Sequence, residues 1–194
     1  MKNIKTLIWK SILAGFLISL VSWIYLQCNN KIIGSVLFSI GLISIILLQA
    51  NLFTGKIGYV NTKEKAIESI IILLINFATA YIIGLFYHYS NNAFSFQSRL
   101  IKTWYQILLD GFGCGILIYL AVELYNKTNN ILLIILPVVC FILSGMEHSI
   151  ADAFYFGASD FTWKGLGYIC LVIIGNTMGS LFIRRLQLLC NKKD

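Results

Sequence analysis

The chain has 194 residues, 58% of them hydrophobic and 12% charged, with a formal net charge of +7. Water-soluble domains carry about 25% charged residues, so this balance excludes an ordinary soluble domain and points to lipid as the solvent. The basic residues sit at the edges of apolar blocks and form no stripe with exposed aromatics, which excludes nucleic acid as a partner.

A helix that crosses the bilayer needs about 20 mostly apolar residues. The first is expected over residues 6–27. Lys2, Lys5 and Lys10 precede its apolar run, but the run ends in Gln27-Cys28-Asn29-Asn30 without a small-residue cleavage site. It therefore reads as a retained helix with Lys10 reaching toward the headgroups. The second begins at Ile32, stays apolar through Leu48, and meets Gln49-Ala50-Asn51-Leu52-Phe53-Thr54-Gly55-Lys56 before it has cleared the membrane. The third covers 66–89 with Asn76 at its middle. The fourth covers 102–125 and carries Asp110, Gly111, Gly113 and Gly115. The fifth starts near Ile131, contains Pro137, and is interrupted by Gly145-Met146-Glu147-His148-Ser149-Ile150-Ala151-Asp152. The sixth covers 164–188, with Gly175-Asn176 near its centre.

Six spans put both termini on one side. That side collects Lys2, Lys5, Lys10, Lys56, Lys63, Lys65, Lys127, Arg184, Arg185, Lys192 and Lys193, eleven of the fifteen basic residues. The other side keeps Lys31, Arg99, Lys102 and Lys164. Positive charge favours the cytoplasmic side, so both termini are expected in the cytoplasm and the protein in the cytoplasmic (inner) membrane. Trp9, Trp23, Trp104 and Trp163 fall near span ends, where interfacial anchors belong.

The halves echo each other. Asn51 and Glu147 lie 96 residues apart at the two breaks, and Asn76 and Asn176 lie 100 apart at span centres. A repeat of three spans is odd, so the second copy must lie inverted in the membrane. The expected fold is an all-α membrane protein of six transmembrane helices in two inverted three-helix repeats, with helices 2 and 5 broken. It forms one transmembrane domain over 1–194, with repeat one at about 6–89 and repeat two at about 102–188.

Broken backbone at membrane depth is tolerated only where it is buried in protein or lines a cavity, so both breaks argue for a polar pathway. His148 has an ordinary titration range near neutrality and could exchange a proton with a weak acid; equally, it could bond a backbone group and fix the broken helix. The residues admit both. Glu147 is expected to accept backbone N–H groups at the break. No His-Glu-x-x-His is present and His88 lies at the far end of the third span, so no metal site or cofactor is expected. Ser144, His148 and Asp152 are four residues apart on one helix face, a pattern membrane packing produces readily, so a hydrolase is not expected. Five cysteines without CxxC spacing read as buried thiols.

Gly-Met-Glu-His-Ser-Ile-Ala-Asp at 145–152, with Ala-Asn-Leu-Phe-Thr-Gly at 50–55 and Ile-Gly-Asn-Thr-Met-Gly at 174–179, resembles the formate/nitrite transporter family. The likeness extends over nearly the whole chain and includes Gly-x-Gly-Cys in the fourth span and Leu-Pro before the second break. It implies an aquaporin-like subunit, a homopentamer, and a pore in each subunit. The pore would conduct small monovalent anions or their conjugate acids (formate, nitrite, hydrosulfide), with protons as partners. By position, His148 would be the central pore histidine and Thr54 its partner. Phe38 and Phe141 would form the outer constriction, and Leu42, Phe53 and Ile118 the inner one. Arg99 aligns with a vestibule lysine of the family, with Lys102 near enough to replace it and Lys164 adding charge at the mouth. Asn176 matches an asparagine of the family's sixth helix.

Three positions depart from the pattern: Asn51 stands where an acid is usual, Asp152 where asparagine is usual, and Gly115 where asparagine is usual. Asn51, Glu147 and Asp152 are therefore counted with the pore residues. Two other readings compete. Against a neutral-solute channel for water or polyols stands the lack of Asn-Pro-Ala motifs in this chain. A non-conducting scaffold or sensor would pass none of these solutes.

Overall fold

In a computed structural model, residues 3–91 and 95–191 are described, so the basic residues Lys2, Lys192 and Lys193 lie outside the described residues. Among the described residues, four helices are long and apolar enough to cross a membrane: α1 (Ile4–Gln27), α4 (Lys63–Asn91), α5 (Trp104–Thr128) and α8 (Trp163–Cys190). Between them lie four shorter helices, α2 (Lys31–Leu47), α3 (Phe53–Lys56), α6 (Leu132–Leu143) and α7 (Ser149–Gly157). Single 3-10 turns at Ile57–Tyr59 and Phe96–Ser98 complete the described structure. The observed starts and stops lie within a few residues of those expected.

Local chemistry sets the helix starts. Asn30 Oδ1 accepts from the N–H groups of Ile32 and Ile33, and Thr162 Oγ1 accepts from Gly165 N–H, satisfying donors that a helix start leaves open. Helices α2 and α6 stop in the same way. Gln49 and Gly145 take left-handed backbone (φ 52° and 70°), and the next N–H reaches back across the last turn, Ala50 to Ile45 O and Met146 to Phe141 O. This is the Schellman closure, which satisfies orphan carbonyls and turns the chain away from the helix axis. Gly145 suits it because no Cβ opposes positive φ; Gln49 adopts it at some cost.

The helices pack through small residues. α5 and α8 make the most extensive contact, and α4 lies on α7 and α1. Gly111 and Gly115 on α5 face Gly175 and Gly179 on α8. A Cβ on Gly111 would lie 2.9 Å from Val172 O, and one on Gly179 would fall on the carbonyl of Phe112. Small residues four apart let helix backbones approach closely, the usual way helices associate in lipid. Gly15 does the equivalent on α1, where a Cβ would lie 2.9 Å from Asn76 O. We expect Gly179→Val to force α5 and α8 apart and to cost about 1–3 kcal/mol or more. Gly167→Val on the same helix meets open space and should leave stability unchanged. Denaturant titration of the two purified variants checks this; equal midpoints would refute the close-packing account.

Polarity is arranged for lipid. Ser11, Ser19, Ser35, Ser39, Asn76, Asn176 and Ser180 are buried, while Leu74, Phe86 and Leu136 are more than 60% exposed. Buried serines return their hydroxyls to backbone carbonyls, Ser11 to Leu7 O and Ser19 to Gly15 O, and Ser180 crosses to Gly115 O. Trp9, Trp104 and Trp163 are exposed, but Trp23 is half-buried and packs edge-on against Tyr87 at 5.0 Å. The cysteine expectation needs correction. Cys114 is buried and Cys28 partly so, but Cys140, Cys170 and Cys190 are exposed, because a thiol is apolar enough to face lipid.

Candidate pore site

Two asparagines carry the centre of the molecule, and they do it in the same way. Asn176 Oδ1 accepts from Ser149 N–H at 3.0 Å, and its Nδ2 donates to Gly111 O at 2.8 Å and Glu147 O at 2.9 Å. Asn76 Oδ1 accepts from Phe53 N–H at 2.8 Å, and its Nδ2 donates to Ser11 O at 2.7 Å and Asn51 O at 3.0 Å. Each side chain therefore ties the start of a short helix, the extended segment before it and a neighbouring long helix to one point. In the membrane interior no water would satisfy those groups.

The two short helices meet there. Thr54 Oγ1 lies 2.8 Å from His148 Nε2, and both residues are buried. His148 is the N-cap of α7, and its Nδ1 accepts from Ala151 N–H at 3.2 Å. Only an unprotonated ring nitrogen accepts, so this bond assigns the ring hydrogen to Nε2, which donates it to Thr54. The Thr54 hydroxyl then retains its own hydrogen for another acceptor.

A cavity of about 480 Å³ touches His148 on one side; Phe38, Phe141, Arg99, Lys102, Glu147 and Asp152 are among its walls. Phe38 and Phe141 meet edge-to-face at 6.1 Å, and Phe141 stacks on the His148 ring at 6.0 Å. A second cavity of about 560 Å³ is lined by Leu42, Asn51, Lys10, Lys56, Lys65 and Glu68, among others. Phe53 and Ile118, both buried, line neither cavity. The Thr54–His148 pair thus stands beside the first cavity, with Leu42 facing the second.

Four charged groups of the first cavity are paired; Lys31, also in its wall, makes no ion pair among the described residues. Arg99 Nη1 bonds Glu147 Oε2 and lies 3.1 Å from Asp152 Oδ1. Lys102 Nζ lies 2.7 Å from both Asp110 Oδ2 and Glu147 Oε1, and 3.1 Å from Gly145 O. Arg99 also stacks over Tyr155 at 4.7 Å. Burial alone would lower the Lys102 pKa, but hydrogen bonds and charge from Asp110 and Glu147 outweigh it and hold the ammonium above its ordinary value. The loop carrying these cations is pinned where α5 begins, with Thr103 N–H donating to Gln106 Oε1 at 2.8 Å.

These positions refine the expectations. Arg99 and Lys102 both reach the cavity, so neither substitutes for the other. Lys164 sits exposed on the first turn of α8 and is not among the cavity walls. Glu147 does not accept backbone N–H groups; its carboxylate is taken by Arg99 and Lys102, because the loop at 95–103 folds two cations over the break. Lys10 lines the second cavity and does not simply flank a span. Asn76, Asp110 and Tyr155 join the site without having been expected in it. For Asn76 the signal is present in the sequence, since it stands 100 residues before Asn176, as Ser11 stands before Gly111.

Several apolar helices, and a buried hydroxyl–imidazole pair beside a charged cavity, define a multi-pass membrane protein with a buried polar site. The family described as Formate/nitrite transporter matches residues 1–189, and the chain belongs to that family. Among curated relatives, it is 27% identical over 196 residues to the uncharacterized transporter YrhG of Bacillus subtilis (strain 168), covering 85% of this chain and 74% of YrhG. It is 24% identical over 149 residues to the formate channel FocA of Haemophilus influenzae, covering 64% of this chain and 52% of FocA. Its fold is that of a solved FNT family ion channel (TM-score 0.79, 19% identity, 97% of this chain and 89% of the other). It also matches a solved pentameric formate channel with formate bound (TM-score 0.77, 20% identity, 98% of this chain and 100% of the other).

Proposed function

We propose that this chain is a channel or transporter, not an enzyme, for small monovalent anions or their conjugate weak acids, of the formate, nitrite and hydrosulfide class. Proton coupling occurs around His148. The observation that carries this reading is the buried Thr54–His148 pair beside a charged cavity. Helices α2–α3 and α6–α7 are each one interrupted span, which gives six spans in two inverted repeats within a single domain. The matched asparagine bonds and the matched Schellman closures support that symmetry. The subunit assembles as a homopentamer, in line with the pentameric formate channel that shares its fold. The cavity with Lys10, Lys56 and Lys65 faces the cytoplasm, together with both termini, and the Arg99 cavity faces outward across the inner membrane.

Phe38 and Phe141 form the outer constriction and Leu42, Phe53 and Ile118 the inner one. Moving a bare carboxylate into surroundings of dielectric about 4 costs on the order of 20 kcal/mol by ideal ion solvation, whereas a neutral acid avoids that charge term. The anion therefore enters the outer cavity, accepts a hydrogen bond from the Thr54 hydroxyl, takes up a proton there, and crosses the inner constriction as its conjugate acid. Asn76 and Asn176 hold the break segments in place, Asn51 being held through its backbone carbonyl, and Lys164 contributes only to the potential outside the mouth.

The sign of the pH effect follows. Each anion carried takes up a proton drawn from the outer solution, so uptake should rise as that solution goes from about pH 8 to about pH 5. Stopped-flow flux of formate, nitrite and hydrosulfide into proteoliposomes tests this. Equal flux at both pH values would remove the protonation step, osmotic swelling without anion flux would mark a neutral-solute channel, and a folded oligomer passing nothing would mark a scaffold.

A further inference from the structure

The carboxyls at the outer cavity are served unequally. Arg99 and Lys102 pair with Asp110, Glu147 and Asp152, and Lys31 also stands in the cavity wall. Glu147 holds both cations, and Asp110 holds Lys102 with its side chain 28% exposed. Asp152 is 1% exposed, shares one Arg99 nitrogen through Oδ1 at 3.1 Å, and its Oδ2 is buried without a hydrogen-bond donor. An ionised carboxylate oxygen buried without a donor is among the costlier arrangements a protein can hold.

The groups around Asp152 offer Oδ2 no further cation. Arg99 and Lys102 come from the loop at 95–103, and Glu147 and His148 from the break segment. Cys114 on α5, Tyr155 on α7 and Tyr168 on α8 add titratable groups, and Tyr25 on α1 and Lys31 on α2 line the same cavity. Meanwhile His148 has both nitrogens committed, Nδ1 to Ala151 N–H and Nε2 to Thr54. It can give up the Nε2 hydrogen only by becoming an anion, or by first gaining a second proton and breaking the α7 cap.

We infer that Asp152 holds a proton on Oδ2 at neutral pH and is the proton donor to the permeating anion, with His148 acting as the residue that positions Thr54. The inference rests on the anion-channel reading above. A neutral Asp152 leaves no ionised oxygen buried without a donor at Oδ2, and its O–H can rest on the neighbouring Glu147 carboxylate. A formate or nitrite ion entering the cavity supplies a competing acceptor. The Oδ2–H bond breaks and a new O–H bond forms on the substrate; the electron pair stays on Oδ2, and the resulting carboxylate is stabilised by Arg99. A proton from water of the outer solution then restores Asp152, so one proton crosses with each anion.

Two readouts test this. Infrared spectra of the purified protein at about pH 7, with and without ¹³C-labelled aspartate, should contain a protonated-carboxyl C=O band that shifts with the label. Asp152→Asn should lack that band, lose roughly tenfold or more of formate uptake at about pH 5, and keep only flux that no longer varies with pH. Absence of the band in the parent overturns the inference, as does Asp152→Asn with the parent's flux and pH profile. If the variant does not fold, the labelled parent alone decides. If the parent transports no anion, the channel reading falls, and the band still decides whether Asp152 holds a proton.

Discussion

Asn176→Ala should strip the centre of the protein of three hydrogen bonds at once. Ser149 N–H, Gly111 O and Glu147 O lose their partner, and all lie where water would not replace it. Hydrogen bonds between helices in membranes average about 0.6 and reach about 1.7 kcal/mol, so three from one side chain amount to roughly 2–5 kcal/mol. That is a large fraction of the stability of an ordinary domain. Asn76→Ala should cost a similar amount, because it removes the same three kinds of bond from Phe53 N–H, Ser11 O and Asn51 O. Denaturant midpoints of the purified oligomers measure both. The strut role is wrong if either variant unfolds with its parent, and the two asparagines are not equivalent if the losses differ severalfold.

His148→Phe should leave a folded protein that transports poorly. Phenylalanine keeps the ring and its stack on Phe141, so packing survives. Two bonds go: the cap to Ala151 N–H, worth about 0.5–2 kcal/mol, and the bond to Thr54 Oγ1. Without the imidazole, nothing directs the Thr54 hydroxyl hydrogen toward the cavity. A hydrogen bond to a charged group contributes about 1.5–3 kcal/mol, so losing its orientation should reduce anion flux roughly 10- to 100-fold. Thr54→Val should reduce flux by a similar factor with less effect on stability, since it removes the hydroxyl but not the cap. Parent-like flux in His148→Phe would end the central role assigned to this residue. The two pore variants should also differ in kind: the histidine variant keeps its pH dependence on the residual flux, and Asp152→Asn loses it.

Much of the site is legible in the residues alone. Ionisable and amide side chains inside apolar runs are expensive, so Asn76, Glu147, His148, Asp152 and Asn176 identify themselves by cost. Glycines at four-residue spacing on residues 111–115 and 175–179 signal close helix contact. The interruption at Gly145 is readable because glycine suits left-handed backbone; the matching one at Gln49 is readable only from the polar residues around it, since glutamine gives no such signal. The spacing of 96 between the two breaks recurs from Gln49 to Gly145.

By itself, then, the order of residues determined the solvent and the apolar segments and singled out His148 and the polar stretches between them, because each follows from local hydrophobicity or from the cost of a polar group at depth. Who pairs with whom was decided by tertiary structure. Glu147 turned from a backbone acceptor into the shared partner of Arg99 and Lys102 only because a loop some 45–50 residues earlier folds over it. Lys164 was set aside by the same folding, since the helix that bears it starts away from the cavity. The role of His148 also changed. Its chemistry depends on which nitrogen holds the hydrogen, and that depends on one backbone N–H three residues on and one threonine 94 residues back. Long-range geometry, not composition, made Asp152 the buried carboxyl with one oxygen lacking a donor.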